Sequence, residues 1–262
     1  MRTVPRLSGP ATVETTNLQG FDLRTDPGVP YLYSPAFCGN QLCFDKDGIG
    51  KETADGLGYS DSNLEGKLIA GNTFDYPFIH GKAIQAAGRY SFVSCSDEAV
   101  EDGRVRLTDY HMVDLILGVE LSPFSPALKG ALSHYCQSGG RLFVSGSHLD
   151  KETDRAFTNL LKYIPVDNLL HSQETEVFGT GIRFRLPRTA NEQTYAVPSP
   201  ACIAPLSPAI QSFIYPGSNQ GAGIAYRGTD YRTFILGFPF ESIPDEGNRA
   251  HIMSGILHYF ED

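Results

Sequence analysis

The sequence predicts an α/β protein: a mostly parallel sheet with helices on both faces, preceded by an irregular N-terminal segment and followed by a late β-hairpin. Two observations carry this. From Lys67 onward, apolar runs of strand length alternate with stretches of helical period, which is the texture of parallel α/β packing. Residues 1–65, in contrast, are rich in Gly, Pro, Asp and Tyr, with turn signals at Asp26–Gly28 and Asp47–Gly48 and no sustained helical period. The expected division is therefore an irregular segment over 1–65 packed on a main domain over 66–262.

The elements follow in order. KLIAGN (67–72) reads as a first strand, with a short helix around Gly81–Ala87 after it. YSFVSCS (90–96) and MVDLILGVE (112–120) read as the second and third strands. SPALKGALSHYCQSGG reads as a helix, because Pro126 lies near its start, Leu128, Leu132 and Tyr135 recur at helical spacing, and Gly139-Gly140 ends it. RLFVSGS (141–147) is apolar enough for a strand buried on both faces, and an amphipathic helix is expected over 151–163. Beyond Pro165, TEVFGTGIRFRL alternates, and AGIAYRGTDYRTFILGFPFE reads as a hairpin turning at Gly228–Asp230. The last helix, RAHIMSGILHYF, gathers Ile252, Met253, Ile256, Leu257 and Phe260 on one face.

Composition narrows the function classes. The 262 residues, 41% hydrophobic, suffice for a sizeable core. A formal charge of −9 without any basic run opposes binding to nucleic acid or to anionic membranes. No apolar run reaches the roughly 18–20 residues needed to span a bilayer, and MRTVPRLSGP lacks the apolar core of a signal peptide. The opening residues read like mid-chain text behind Met1, as in a piece excised from a longer chain. Five cysteines without a CxxC pair indicate neither a zinc knuckle nor a dense disulfide framework. Cys38 and Cys43 suit either a small disulfide loop or two buried thiols. FDKDGIGKE (44–52) offers Asp45, Asp47 and Glu52 around a glycine turn, but the glycine comes too early for a calcium loop, so a solvated turn is expected. His111, His134, His171, His251 and His258 lack metal-type spacing, and neither a metal nor another cofactor is expected.

VDLILGVE, GGRLFVSGSH and FILGFPFE, the last followed by the final helix, resemble in order and spacing the class I glutamine amidotransferase-like fold, a flavodoxin-like sheet that ThuA-like proteins share. That resemblance covers the chain from about Lys67 to its end. In active amidotransferases the strand similar to GGRLFVSGSH ends in a cysteine on a strained elbow, served by a nearby histidine and by backbone N–H groups that stabilise the oxyanion. Here the cysteine position falls at or next to Gly146, between Ser145 and Ser147, and the histidine position is held by Phe240 or Glu241. Glutamine hydrolysis is therefore not expected. GFDLRTDPGVPY, GNTFDYPFIHG and GFPFESI, taken together, resemble a xanthan lyase-like domain of bacterial secreted proteins. This resemblance implies a secreted or periplasmic setting, flanking modules in a larger chain, and a polysaccharide or peptidoglycan fragment as partner.

In open α/β sheets ligands bind beyond the carboxyl ends of the strands. That rule collects Asn72, Thr73 and Asp75 after the first expected strand, Cys95 and Ser96 after the second, Glu120 after the third and Ser145–His148 after the fourth, with Glu241 joining from the late segment. The favoured expectation is a non-amidotransferase binding or accessory domain of a glycan- or cell-wall-processing protein, with Asn72, Thr73, Asp75, Tyr76 and Glu120 as ligand contacts. GNTFDYPFIHG sets Phe74, Tyr76 and Phe78 beside Asn72, Asp75 and His80, a mixture suited to stacking on a sugar ring or, equally, to lining a core. The alternative is a saccharide or peptidoglycan hydrolase or lyase, with Ser147 or Ser145 as nucleophile, His80 or His148 as base and Asp75, Glu120 or Glu241 as orienting carboxylate. Ser147 and His148 are neighbours whose side chains normally diverge, and the G-x-S-x-G elbow is absent.

Overall fold

A computed structural model gives the architecture. It describes the backbone of five N-terminal strands and, from Tyr76 on, the chain apart from residues 89, 119, 121–122, 168–174, 189–196, 198 and 262. The N-terminal strands are β1 (Leu7–Glu14), β2 (Asn17–Leu18), β3 (Phe21–Asp22), β4 (Gln41–Phe44) and β5 (Lys67–Ala70). Then come helix α1 (Tyr76–Ala86), β6 (Val93–Ser96), α2 (Asp97–Glu101), β7 (Tyr110–Gly118), α3 (Pro126–Gln137), β8 (Arg141–Gly146) and α4 (Arg155–Leu161). The late strands are β9 (Tyr163–Val166), β10 (Glu176–Gly179), β11 (Ile182–Arg185), β12 (Cys202–Pro205), β13 (Ile210–Tyr215), β14 (Gln220–Arg227) and β15 (Arg232–Leu236), and α5 (Glu246–Glu261) closes the fold.

Nine strands form one sheet in the order β11-β10-β13-β14-β15-β8-β7-β1-β6. The pairings β6–β1, β1–β7, β7–β8 and β8–β15 are parallel, whereas β15–β14, β14–β13, β13–β10 and β10–β11 are antiparallel. The sheet is therefore mixed, which corrects the expected mostly parallel, flavodoxin-like sheet. The late alternating segments do not form an appended hairpin; they extend the same sheet, and the tight turn at Gly228–Asp230 forces antiparallel pairing from β15 outward. The expected first strand is also placed differently. Lys67–Ala70 pairs antiparallel with Gln41–Phe44 in a separate two-stranded sheet, while Leu7–Glu14, from the segment read as irregular, lies between β7 and β6.

Side-chain alternation along the central strands divides the core in two. Met112, Ile116, Phe143, Phe234 and Leu236 face α1 and α5, where Ile84, Ile252, Met253, Ile256 and Phe260 complete one apolar layer. Val113, Leu115, Leu117, Leu142, Val144 and Ile235 face the other way, onto Leu128, Leu132 and Tyr135 of α3 and Phe157 and Leu161 of α4. Strands buried on both faces are continuous apolar runs for this reason. The helix ends are built as their sequences dictate. Ser125 caps α3 by accepting the Leu128 N–H at 3.0 Å with Pro126 in the first turn, and Asp154 caps α4 by accepting the Phe157 N–H at 3.1 Å. At the end of α3, Gly139 takes the left-handed conformation and Gly140 donates to the Tyr135 carbonyl at 3.0 Å, which turns the chain directly into β8. Among the described residues no helix is long and apolar enough to cross a membrane.

Candidate functional site

The described site residues separate into a sealed core cluster and an open cleft. His80 lies on α1 and is fully buried. Its Nδ1 is 2.7 Å from Asp114 Oδ2 on β7, and its Nε2 is 3.1 Å from Glu241 Oε2 in the short 3-10 turn Phe240–Ser242 that follows β15. Asp114 is 1% and Glu241 2% exposed. The ring of Phe240 meets the imidazole edge-on at 4.7 Å, and that of Phe143 lies 6.2 Å away. Burial alone would lower the His80 pKa; the charges and hydrogen bonds of Asp114 and Glu241 overcome this and raise it from 6.5 to about 9. The cluster is thus a buried imidazolium held between two carboxylates. Burial raises the Asp114 pKa while His80 pulls it down.

Ser145 and Ser147 are both fully buried, and neither hydroxyl has a hydrogen-bond partner among the described residues. Both nitrogens of His80 are committed to carboxylates, so no serine–histidine–carboxylate relay forms around it. Gly146, the place of the elbow cysteine, is closed to any side chain: a Cβ there would stand 2.5 Å from Leu117 Cβ. Both serine hydroxyls and the Gly146 position are closed off because the strand end is packed through Ser147.

His148 differs. It leaves β8 at φ 62°, ψ 12°, a left-handed conformation that few non-glycine residues adopt, and initiates the 3-10 turn Leu149–Lys151. Its side chain is half-buried and lines a cleft of about 220 Å³ with Pro123, Phe124, Lys129, Lys151, Glu152 and Thr153. Burial lowers the imidazole pKa, Lys151 lowers it further and Asp150 acts the other way, so the ring is neutral at pH 7 and can both donate and accept. Lys129 is held by Glu152 at 2.8 Å and stands 5.6 Å over the Phe157 ring. Lys151 pairs with Asp150 at 3.0 Å. The cleft therefore presents an aromatic ring, a neutral imidazole, a hydroxyl and charge-compensated lysines.

The cleft sits beyond the carboxyl ends of β7 and β8, where the strand-end rule places a ligand. Glu120 follows β7 there, half-buried, with its N–H on the Leu117 carbonyl at 3.2 Å. Asn72, Thr73 and Asp75, the side chains of Phe74, Tyr76 and Phe78, Cys38 and the acidic turn at 45–52 lie outside the described residues. Cys95 is half-buried at the end of β6, and burial pushes its thiol up to about 11, so it is no thiolate at neutral pH. Sequence reasoning missed Asp114 and the cleft residues other than His148. Asp114 had a signal: a lone carboxylate inside the apolar run MVDLILG must find a partner once that run is buried.

No family model and no curated protein matches the chain. Among solved structures, a β-galactosidase from the Antarctic haloarchaeon Halorubrum lacusprofundi superposes with a TM-score of 0.50 at 12% identity, covering 98% of this chain and 31% of the enzyme. A cytoplasmic protein from Salmonella typhimurium superposes with a TM-score of 0.51 at 10% identity, covering 95% of this chain and 98% of that protein. The chain thus spans under a third of the β-galactosidase it matches. At these identities the likeness is one of fold.

Proposed function

We propose that this chain is a saccharide-binding accessory domain of a secreted glycan- or cell-wall-processing protein, with its ligand in the cleft around His148 and Phe124. The observation that carries the reading is the left-handed His148 at the carboxyl end of β8, a strained residue whose side chain lines an open cleft. Strain of this kind persists where surrounding packing holds it, and it concentrates at ligand and active sites. The neutral imidazole and the Thr153 hydroxyl suit sugar hydroxyls, and the Phe124 ring suits the apolar face of a pyranose. Binding is favoured over hydrolysis because His80, a buried imidazole flanked by carboxylates, has both nitrogens engaged and no surface. The β-galactosidase likeness, confined to under a third of that enzyme, supports a domain working beside a glycan-processing module. The secreted setting rests on the sequence resemblance alone.

The test is a thermal-stability screen of the purified domain against oligosaccharides and muropeptides. A true ligand at 100 times its Kd adds roughly 2.7 kcal/mol of stability. His148→Ala and Phe124→Ala are each expected to abolish the shift. A screen in which no glycan stabilises the domain contradicts the proposal.

A further inference from the structure

We propose that a second cleft, at the opposite end of the sheet, binds one tetrahedral oxyanion group, phosphate or sulfate, between Arg141 and His111. It lies at the amino ends of β7 and β8, where Thr108, His111, Ser138, Gly139, Gly140 and Arg141, with two tyrosines, line an open cleft of about 110 Å³. This is space for several water molecules, and so for one oxyanion group.

The lining is selective in its chemistry. In a chain with 30 acidic and 21 basic residues, the described residues that line the cleft include no carboxylate, and the one full charge among them is the Arg141 guanidinium. Arg104, Arg106 and Arg183 each pair with a carboxylate, at 2.9, 3.2 and 3.0 Å. The Arg141 side chain instead meets an imidazole: Nη1 lies 2.8 Å from both ring nitrogens of His111. No carboxylate pairs with it among the described residues. Asp109, next to Thr108 in sequence, is paired with Arg106 at 3.2 Å. A planar guanidinium with further N–H donors attracts an oxyanion.

The frame that holds these donors is rigid. The Tyr135 hydroxyl accepts the Arg141 N–H at 3.2 Å and lies 3.2 Å from the carbonyls of His111 and Arg141, tying the starts of β7 and β8 to α3. Gly139, in the left-handed region at φ 91°, turns the chain without placing a side chain over the cleft. Thr108, in the turn before β7, and Ser138, at the end of α3, add two hydroxyl side chains to the lining.

The test is NMR titration of the chain with sodium phosphate, sodium sulfate and methyl phosphate at constant ionic strength, with chloride as reference. Saturable shifts of the Thr108, Gly139 and Gly140 amides are expected, weakened at least tenfold by Arg141→Gln and also reduced by Thr108→Val, but unchanged by Arg183→Gln. Equal binding of methyl phosphate identifies a phosphate carried on a larger ligand, and binding of inorganic anions alone identifies a free ion; both support the site. Shifts no larger than those with chloride, or shifts that persist in folded Arg141→Gln, overturn it.

Discussion

His80 and Asp114 meet at 2.7 Å in a part of the core where neither is more than 1% exposed. The contact joins α1 to β7, and the second ring nitrogen, on Glu241, carries the link to the turn after β15. A hydrogen-bonded charge cluster in this position fixes the seating of α1 on the sheet and has no surface at which to meet a substrate.

Removing one member leaves the others buried and uncompensated. Asp114→Ala is expected to cost about 3–5 kcal/mol, measured by urea unfolding. A loss under 1 kcal/mol would show that the cluster does not hold α1.

The same cluster sets an alkaline limit. Because the folded pKa of His80 is about 9 against 6.5 for the free side chain, its contribution is complete below pH 6.5 and is lost as pH rises through 9. At about 1.4 kcal/mol per pKa unit the loss is roughly 3 kcal/mol. Unfolding free energy measured from pH 6 to pH 10 should fall accordingly, and His80→Gln, which does not titrate, should flatten the decline. An equally steep decline in His80→Gln assigns the effect to other groups.

His148→Gly should relieve the left-handed strain and stabilise the chain by about 1 kcal/mol, an increase in Tm of roughly 2–4 °C. The same variant should lose ligand binding at the cleft. A gain in stability with binding intact would show that the strained position serves packing alone.

Gly146→Cys restores the amidotransferase residue in sequence, but its Cβ would collide with Leu117. Destabilisation of about 1–3 kcal/mol is expected, with no glutaminase activity. In contrast, Ser145→Ala removes a hydroxyl that has no partner and should be neutral or slightly stabilising by chemical denaturation.

The elements with strong local signals were legible. Pro126 and Gly139-Gly140 bounded α3 in the sequence as they do in the fold, and the apolar run around Phe143 read as a strand buried on both faces. Sheet membership was not legible. The period-2 pattern of Gln220–Leu236 marks a hairpin equally well whether it stands apart or widens the central sheet, and only tertiary packing decides. Leu7–Glu14, with Gly9 and Pro10 inside it, carries turn-type residues that local propensity assigns to a loop, and pairing on both sides overrides them. The strand-end rule singled out His148 as a candidate, but adjacency in sequence could not show that Ser147 turns inward while His148 lines the open cleft. Asp114 and Glu241 lie 34 and 161 residues from His80, and nothing local joins them.

The most direct test of the account follows the His148 imidazole by NMR while the domain is titrated with the oligosaccharide that stabilises it best. The account predicts a saturable change at His148 and at the amides of residues 123–124 and 151–153, lost in Phe124→Ala and retained in Ser145→Ala. Saturable binding that leaves His148 unmoved, or survives Phe124→Ala undiminished, would contradict it.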